Sequence, residues 1–309
     1  MIHVAKAMRH GEKPFNKERL IDEITSDCFP DAEDRKLWRP IVAQRINLLL
    51  AEEGALFYHM QDVCRTCEDD RRRCSHVCPV DAIKHVDGTT TIDWDRCIEC
   101  GLCVDACIAG AIVARSDFAR VAYLLMKSDE QPVYAILAPA FVGQFGDDIT
   151  PTQLKGALLQ LGFTGVYEVA MAADMITSKE AEELVERFQK GENFMITSCC
   201  CPAFMRLVEK TKPALVELVS HSVSPMIALG RLLKAREDCQ VVFIGPCVAK
   251  KAEAQRPELK DAVDCVLTFK EASALFEAAV VELAAIGQET EMEDASHDGR
   301  IYARTEGVT

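Results

Sequence analysis

At 309 residues and 34.2 kDa, with 49% hydrophobic and 27% charged residues, the chain has the composition of a globular protein of two or three domains, which excludes a disordered or fibrous one. Its net charge of −14 argues against nucleic acid as a partner, and no apolar run approaches the roughly 18 residues that span a bilayer. Fifteen cysteines behind a start (MIHVAKAMRHGEK) without an apolar leader core point to metal ligands in a reducing cytoplasm, not to disulfides.

Residues 1–60 form a helical lead. Leu20, Ile21 and Ile24, then Ile41, Val42, Ile46 and Leu48 to Leu50, predict two helices broken near Cys28-Phe29-Pro30. An eight-cysteine unit follows over residues 61–115. Its second run, Cys97, Cys100, Cys103 and Cys107, has the C-x₂-C-x₂-C-x₃-C spacing that wraps a [4Fe–4S] cluster in bacterial ferredoxins. The first run, Cys64, Cys67, Cys74 and Cys78, is the same pattern with extra residues between its second and third cysteines. In such pairs three cysteines of each run hold one cube and the fourth crosses to the other. Cys64, Cys67, Cys74 and Cys107 are therefore expected to share one cluster, and Cys97, Cys100, Cys103 and Cys78 the second. The chain is expected to carry electrons. Two zinc ions are the competing occupants, and the spacing disfavours them. Arg71-Arg72-Arg73, in the insertion of the first run, is a solvated loop or a patch that steers an acidic ferredoxin. His76 and His85 flank quartets that are already complete, so a structural role is expected for both.

Over residues 130–309 the pattern changes to strands alternating with helices. Strands are predicted at 133–137, 166–169, 194–197, 241–244 and 265–267, and helices at 152–161, 178–189, 202–218, 224–236 and 270–286. Ser178 is the predicted N-cap of its helix, with Glu180 and Glu182 in the first turn. Short apolar strands between amphipathic helices mean a parallel sheet with both faces covered, so the fold class is a ferredoxin-like α+β unit followed by a parallel α/β lobe. Chemistry in such a sheet collects at the carboxyl ends of the strands.

Three of those ends carry unusual residues: Ala138-Pro139-Ala140, Thr197-Ser198-Cys199-Cys200-Cys201-Pro202-Ala203-Phe204, and Gly245-Pro246-Cys247-Val248-Ala249-Lys250-Lys251-Ala252-Glu253. Two cysteines beside prolines at strand tips can bring two thiolates to one metal centre, with Lys250 facing it. A lone cysteine is more often a small core hydrophobe; three adjacent ones with a second Pro-Cys and a nearby lysine are not explained that way.

These motifs resemble the [FeFe]-hydrogenases, and in particular their monomeric branch with a TSCCCP motif. TSCCCPAF is similar to the family's Thr-Ser-Cys-Cys-Pro motif, and PCVAKKAE to its Met-Pro-Cys-x-x-Lys-x-x-Glu motif. The resemblance covers about residues 60–309 and implies an H-cluster, a [4Fe–4S] cube joined through a cysteine to a two-iron unit. It implies that Cys201 and Cys247 ligate the cube and Cys200 passes protons to the two-iron unit. It further implies that Lys250 hydrogen-bonds a cyanide and that Pro139 and Ala140 line the pocket. Glu180, Glu183 and Ser220 fall where the family's proton path runs; a solvated helix face is the plain alternative for the two glutamates. The implied activity is reversible reduction of protons to H₂. The implied partners are a ferredoxin or similar electron carrier and the hydrogenase maturation proteins, in the cytoplasm.

Gly245 stands where the family usually has methionine, Val142 where arginine is common, and Cys199 where serine is usual, so either Cys199 or Cys200 is the proton donor. The family's third motif, Cys-x-x-x-Cys in a Gly-rich stretch, has no match: after Cys247 only Cys265 remains, and the chain stops at Gly307-Val308-Thr309. The expectation is a sequence truncated before that motif, holding two of the four cube ligands. Loss of catalysis is the alternative, giving a redox sensor or an iron–sulfur cluster-handling protein on the same fold.

Overall fold

In the computed structural model, which describes residues 16–51, 54–65, 67, 72–86, 89–192, 195–197, 200–287 and 299–300, the first helix opens where the Asn16 side chain accepts the Arg19 N–H. This is α1 (Lys17–Cys28); Asp31 accepts two N–H groups in the same way to open α2 (Ala32–Leu49). Leu20 and Ile21 of α1 and Ile46 of α2 are buried together, and Phe29, in the break, stacks on Trp38 at 5.3 Å.

The eight-cysteine unit contains β1 (Phe57–His59), α3 (Gln61–Cys64), α4 (Arg73–His76), β2 (Ile83–Val86), β3 (Thr89–Ile92), α5 (Leu102–Ala106) and β4 (Ile112–Ala114). β1 pairs antiparallel with β4, and β2 with β3. The outer ladder thus recruits residues 57–59, from the stretch assigned to the helical lead, as the partner of the strand that closes the second half. Helix α6 (Phe118–Leu125) then leads into the lobe.

The lobe is built on four parallel strands, β5 (Val133–Leu137), β6 (Gly165–Glu168), β7 (Gln240–Gly245) and β8 (Cys265–Thr268), in the order β6-β5-β7-β8. β5 and β7 are apolar nearly throughout and almost fully buried, as strands of a covered parallel sheet must be. The chain passes from β5 to one neighbour, β6, and returns to the other side as β7. The strand order therefore reverses between the carboxyl ends of β5 and β7, where crevices form in such sheets. The helices of the lobe are α7 (Pro151–Gln160), α8 (Ala170–Gln189), α9 (Pro202–Thr211), α10 (Pro225–Arg236), α11 (Ala249–Glu253) and α12 (Phe269–Ala279). Capping boxes at Thr150 with Gln153 and Thr268 with Glu271 open α7 and α12. Among the described residues no helix is long and apolar enough to cross a membrane.

Four element assignments need correction. Helix α8 begins at Ala170, not after Ser178: Ala172, Ala173 and Ile176 carry its buried face back toward the strand, and Ser178 is an exposed mid-helix residue. The strand expected at 194–197 is not part of the sheet among the described residues; Ile196 makes an isolated parallel bridge to Val219, and residue 194 lies outside them. The helix expected over 202–218 ends at Thr211, because Pro213 has no N–H to continue it, and a 3-10 turn spans Pro213–Leu218. Helix α12 stops at Ala279, where Val280 turns into the left-handed region at φ +58°.

Within the lobe, α11 and α12 share a buried ion pair. Lys251, 1% exposed, donates to both oxygens of Glu271 at 2.9 and 2.8 Å, and Glu271 also takes the Ser116 hydroxyl and closes the α12 capping box. Lys251→Met is expected to destabilise the fold by about 3–5 kcal/mol, because it leaves the Glu271 carboxylate uncompensated. Adding Glu271→Gln should recover part of the loss. The denaturant midpoints of the single and double variants measure both.

Candidate metal centres

Two hollows in the eight-cysteine unit are each lined by four thiols. One holds Cys64, Cys67, Cys74 and Cys107, the other Cys78, Cys97, Cys100 and Cys103. These are the two crossed quartets expected from the spacing. The crossing cysteines are held alike: the Ala82 N–H donates to Cys78 Sγ at 3.2 Å and the Ala111 N–H to Cys107 Sγ at 3.1 Å. Burial pushes the Cys103 thiol up to about 12 and raises Cys74 and Cys97 as well. Thiols so desolvated become thiolates only against a strong positive charge, which the irons of a cluster supply, so the donor set and its burial fit two [4Fe–4S] cubes. Among the described residues no three His, Cys, Asp or Glu side chains converge on a single metal ion. His85 sits beside the first quartet, 3.8 Å from Cys74 Sγ, with its Nδ1 2.7 Å from Thr90 Oγ1.

The loop of the second quartet reaches the lobe. Gly101, at φ +82°, lies against Val248; a Cβ there would be 3.0 Å from Val248 Cβ. Only glycine takes that backbone angle cheaply while letting the residue after Cys247 come so close.

At the reversal point of the sheet, Pro139 and Ala140 form the 3-10 turn that follows β5, and Cys247 follows β7. Cys201 is the N-cap of α9, and Cys200 precedes it. Lys250, on α11, joins these segments: its Nζ donates to the Cys200 carbonyl at 3.0 Å and pairs with Glu253 at 2.7 Å, both side chains being largely buried. Burial raises the Cys200 thiol; the Lys250 charge opposes this, while Cys201 and Glu180 add to it. Burial likewise raises Cys247, again opposed by Lys250. Cys200, Cys201, Cys247, Lys250 and Glu180 therefore act on one another within one site. The geometry ties Gly245 to its neighbours too: a Cβ there would lie 2.6 Å from the Phe243 ring and 2.9 Å from Ala138 Cβ. Val142 is 65% exposed. Cys199 and Ser198 lie outside the described residues, as do Arg71 and the segment Gly307-Val308-Thr309.

Glu180 and Glu183 sit one turn apart on α8 and Glu180 is buried. Glu183 accepts the Ser220 hydroxyl at 3.1 Å, two bonds from Arg187 at 2.7 and 3.0 Å, and the His221 N–H, and its Oε1 lies 2.9 Å from His221 Nδ1. Burial alone would raise the Glu183 carboxyl, but Arg187, Ser220 and His221 outweigh it and hold it below the ordinary carboxylate range. A carboxyl depressed on folding stabilises above its unfolded value, and that contribution is lost as pH falls through the folded one. Arg187→Met is therefore expected to move the Glu183 midpoint upward in a ¹³C-carboxyl NMR titration; an unmoved midpoint would mean that Arg187 does not hold it. Arg187 and His221 were not singled out from the sequence, and Glu253 was quoted only as the last residue of its motif, with no role. Arg187 lies four residues after Glu183 and Glu253 three after Lys250, spacings that put each pair on one helix face, whereas nothing local marks His221.

Residues 131–309 match the model of the iron-only hydrogenase large subunit, C-terminal domain, and residues 90–113, which hold the second cysteine run, match the 4Fe-4S binding domain. The chain is 31% identical to iron hydrogenase 1 of Clostridium pasteurianum, over 74% of this chain and 52% of that protein. It is 27% identical to the cytosolic Fe-S cluster assembly factor NAR1 of Meyerozyma guilliermondii, over 61% of this chain and 41% of that protein. The apo structure of a point variant of the [FeFe]-hydrogenase HydA1 from Chlamydomonas reinhardtii superimposes with a TM-score of 0.51 at 28% identity, covering 57% of this chain and 51% of that one. The chain spans about half the length of the curated relatives it matches.

Proposed function

Because this chain belongs to the iron-only hydrogenase large-subunit family, we propose that it catalyses the reversible reduction of protons to H₂, with electrons relayed through two [4Fe–4S] clusters to an H-cluster. The observation that carries this reading is Lys250, which bonds the Cys200 carbonyl at 3.0 Å in a site shared with Cys201 and Cys247. The described residues fit such a group in part: Cys201 and Cys247 offer two thiolates to the cube, and Lys250 offers a fixed charge beside it. When bound, the H-cluster supplies the iron centre at which protons are reduced. Cys200 holds a proton at Sγ, and Glu180, Ser220 and Glu183 connect it toward the surface. Pro139 and Ala140 wall the site from the β5 side. The TSCCCP motif supports placement in the monomeric branch. We take the electron donor to be a ferredoxin or similar carrier, the assembly partners to be the hydrogenase maturation proteins, and the compartment to be the cytoplasm.

The test is infrared spectroscopy of the full-length protein, matured anaerobically with the maturation proteins. Carbon monoxide and cyanide stretching bands, with H₂ evolution from reduced methyl viologen, are the expected result; absence of both rejects it. A second reading, a non-catalytic iron–sulfur cluster-handling protein, draws on the similarity to NAR1 and on Gly245 and Val142, two departures from the hydrogenase pattern. Full iron in both ferredoxin-type clusters with neither bands nor turnover would favour it.

A further inference from the structure

Helix α9 runs from the N-cap Cys201 to Lys210 and Thr211, and along its length it grips the loop that carries the second cysteine run. Arg206 Nε meets Glu99 Oε2 at 3.1 Å, and Glu99 takes an unusual φ of +59° between Ile98 and Cys100. One turn on, Lys210 Nζ donates to the Trp94 carbonyl at 2.7 Å and to the Cys97 carbonyl at 2.8 Å. Glu209 binds Arg256 with two bonds of 3.0 and 3.1 Å, fixing α9 on its other side to the segment after Cys247. The charges differ in kind. Arg206 is neutralised by Glu99 and by Glu209 at 3.6 Å, whereas among the described residues no carboxylate pairs with Lys210, which meets only carbonyl oxygens.

We propose that Lys210 is a positioning residue for the second cluster: it seats the loop bearing Cys97 and Cys100 and sets a fixed positive charge beside the cluster that raises its reduction potential. Reduction adds one electron, and so one negative charge, to the cluster; an ammonium bonded to the backbone of a ligand stabilises that state more than the oxidised one. Net charge, hydrogen bonding and solvent exposure near the sulfurs set such potentials. The ammonium also suits the seat, being a compact charge with three donors that can span two carbonyls. Because α9 starts at Cys201, the same helix fixes the second cluster's loop relative to the candidate cube ligand. The inference rests on the Cys78, Cys97, Cys100 and Cys103 cluster and not on H₂ chemistry, so it stands or falls separately from the proposed activity.

The test is an EPR-monitored redox titration of the iron-loaded chain, with dithionite as the electron source, comparing wild type with K210M, K210Q and K210R. Lys210 is solvent-facing, so its effect is partly screened: in K210M and K210Q the reduced-to-oxidised ratio of one cluster at fixed potential should fall by about 2- to 5-fold. The other cluster should not move, and K210R should restore most of the loss. Loss of iron from one cluster in K210M but not in K210R would support the seating role directly. Two unchanged midpoints in any neutral variant that keeps its full iron would overturn the proposal.

Discussion

In a chain loaded with two [4Fe–4S] clusters, Cys107→Ala is expected to remove the one beside Cys64, Cys67 and Cys74, and to spare the one beside the three cysteines next to it in sequence. Cys78→Ala is expected to do the reverse. The reason is the crossing: Cys107 lines the hollow of the first run and Cys78 that of the second, and each accepts the N–H of the alanine four residues on. A cube left with three thiolates and an alanine loses a ligand in a site too desolvated for water to replace it well. Each variant should therefore keep about half the iron of a protein loaded with two [4Fe–4S] clusters. The two must also lose different EPR signals, which iron content alone would not reveal. Uncrossed ligation predicts the opposite assignment: Cys107→Ala would then share its spectrum with Cys97→Ala, and Cys78→Ala with Cys64→Ala. Such matching would reject the crossed arrangement.

The grouping of the cysteines into two hollows was legible because their spacing is the one that clusters impose, and the rest of the fold has only to bring two short halves together. The sheet was legible for a different reason: β5 and β7 are nearly pure apolar runs, which only a covered parallel strand explains. Helix α8 was misplaced because Ser178 followed by acids imitates a helix start, while the small residues that continue the helix toward β6, Ala170, Ala172 and Ala173, carry little amphipathic contrast. The strand expected around Ile196 failed since an apolar run does not say which neighbour it will meet; its described partner is Val219, not the sheet. Within the site, Lys250 meets Cys200 and Glu253, both inside motifs quoted from the sequence, but the atom it binds on Cys200 did not announce itself. The Cys200 carbonyl is a backbone group with no sequence signature. His221 and Lys210 likewise act through pairings 38 and 113 residues apart, which no local pattern encodes.

Cys200→Ala should lower H₂ evolution by a factor of about 10²–10⁴, the range for removing a positioned proton-transfer group, with iron content and the carbon monoxide and cyanide bands retained. The burial that raises this thiol favours the protonated form that a donor requires, and the Lys250 charge opposes the rise. In the proposed route Glu180, buried and acting on the same thiol, follows Cys200, and Ser220 and Glu183, 3.1 Å apart, come after it. Cys200→Ser should be nearly as slow as Cys200→Ala, because a hydroxyl of similar size holds its proton far more tightly than a thiol. That pairing separates a proton role from a packing role: if volume were what mattered, serine would rescue. Cys199→Ala should leave the rate close to wild type. A large loss in Cys199→Ala with Cys200→Ala unaffected would move the donor by one residue, and wild-type rates in all three variants would remove both thiols from the proton route.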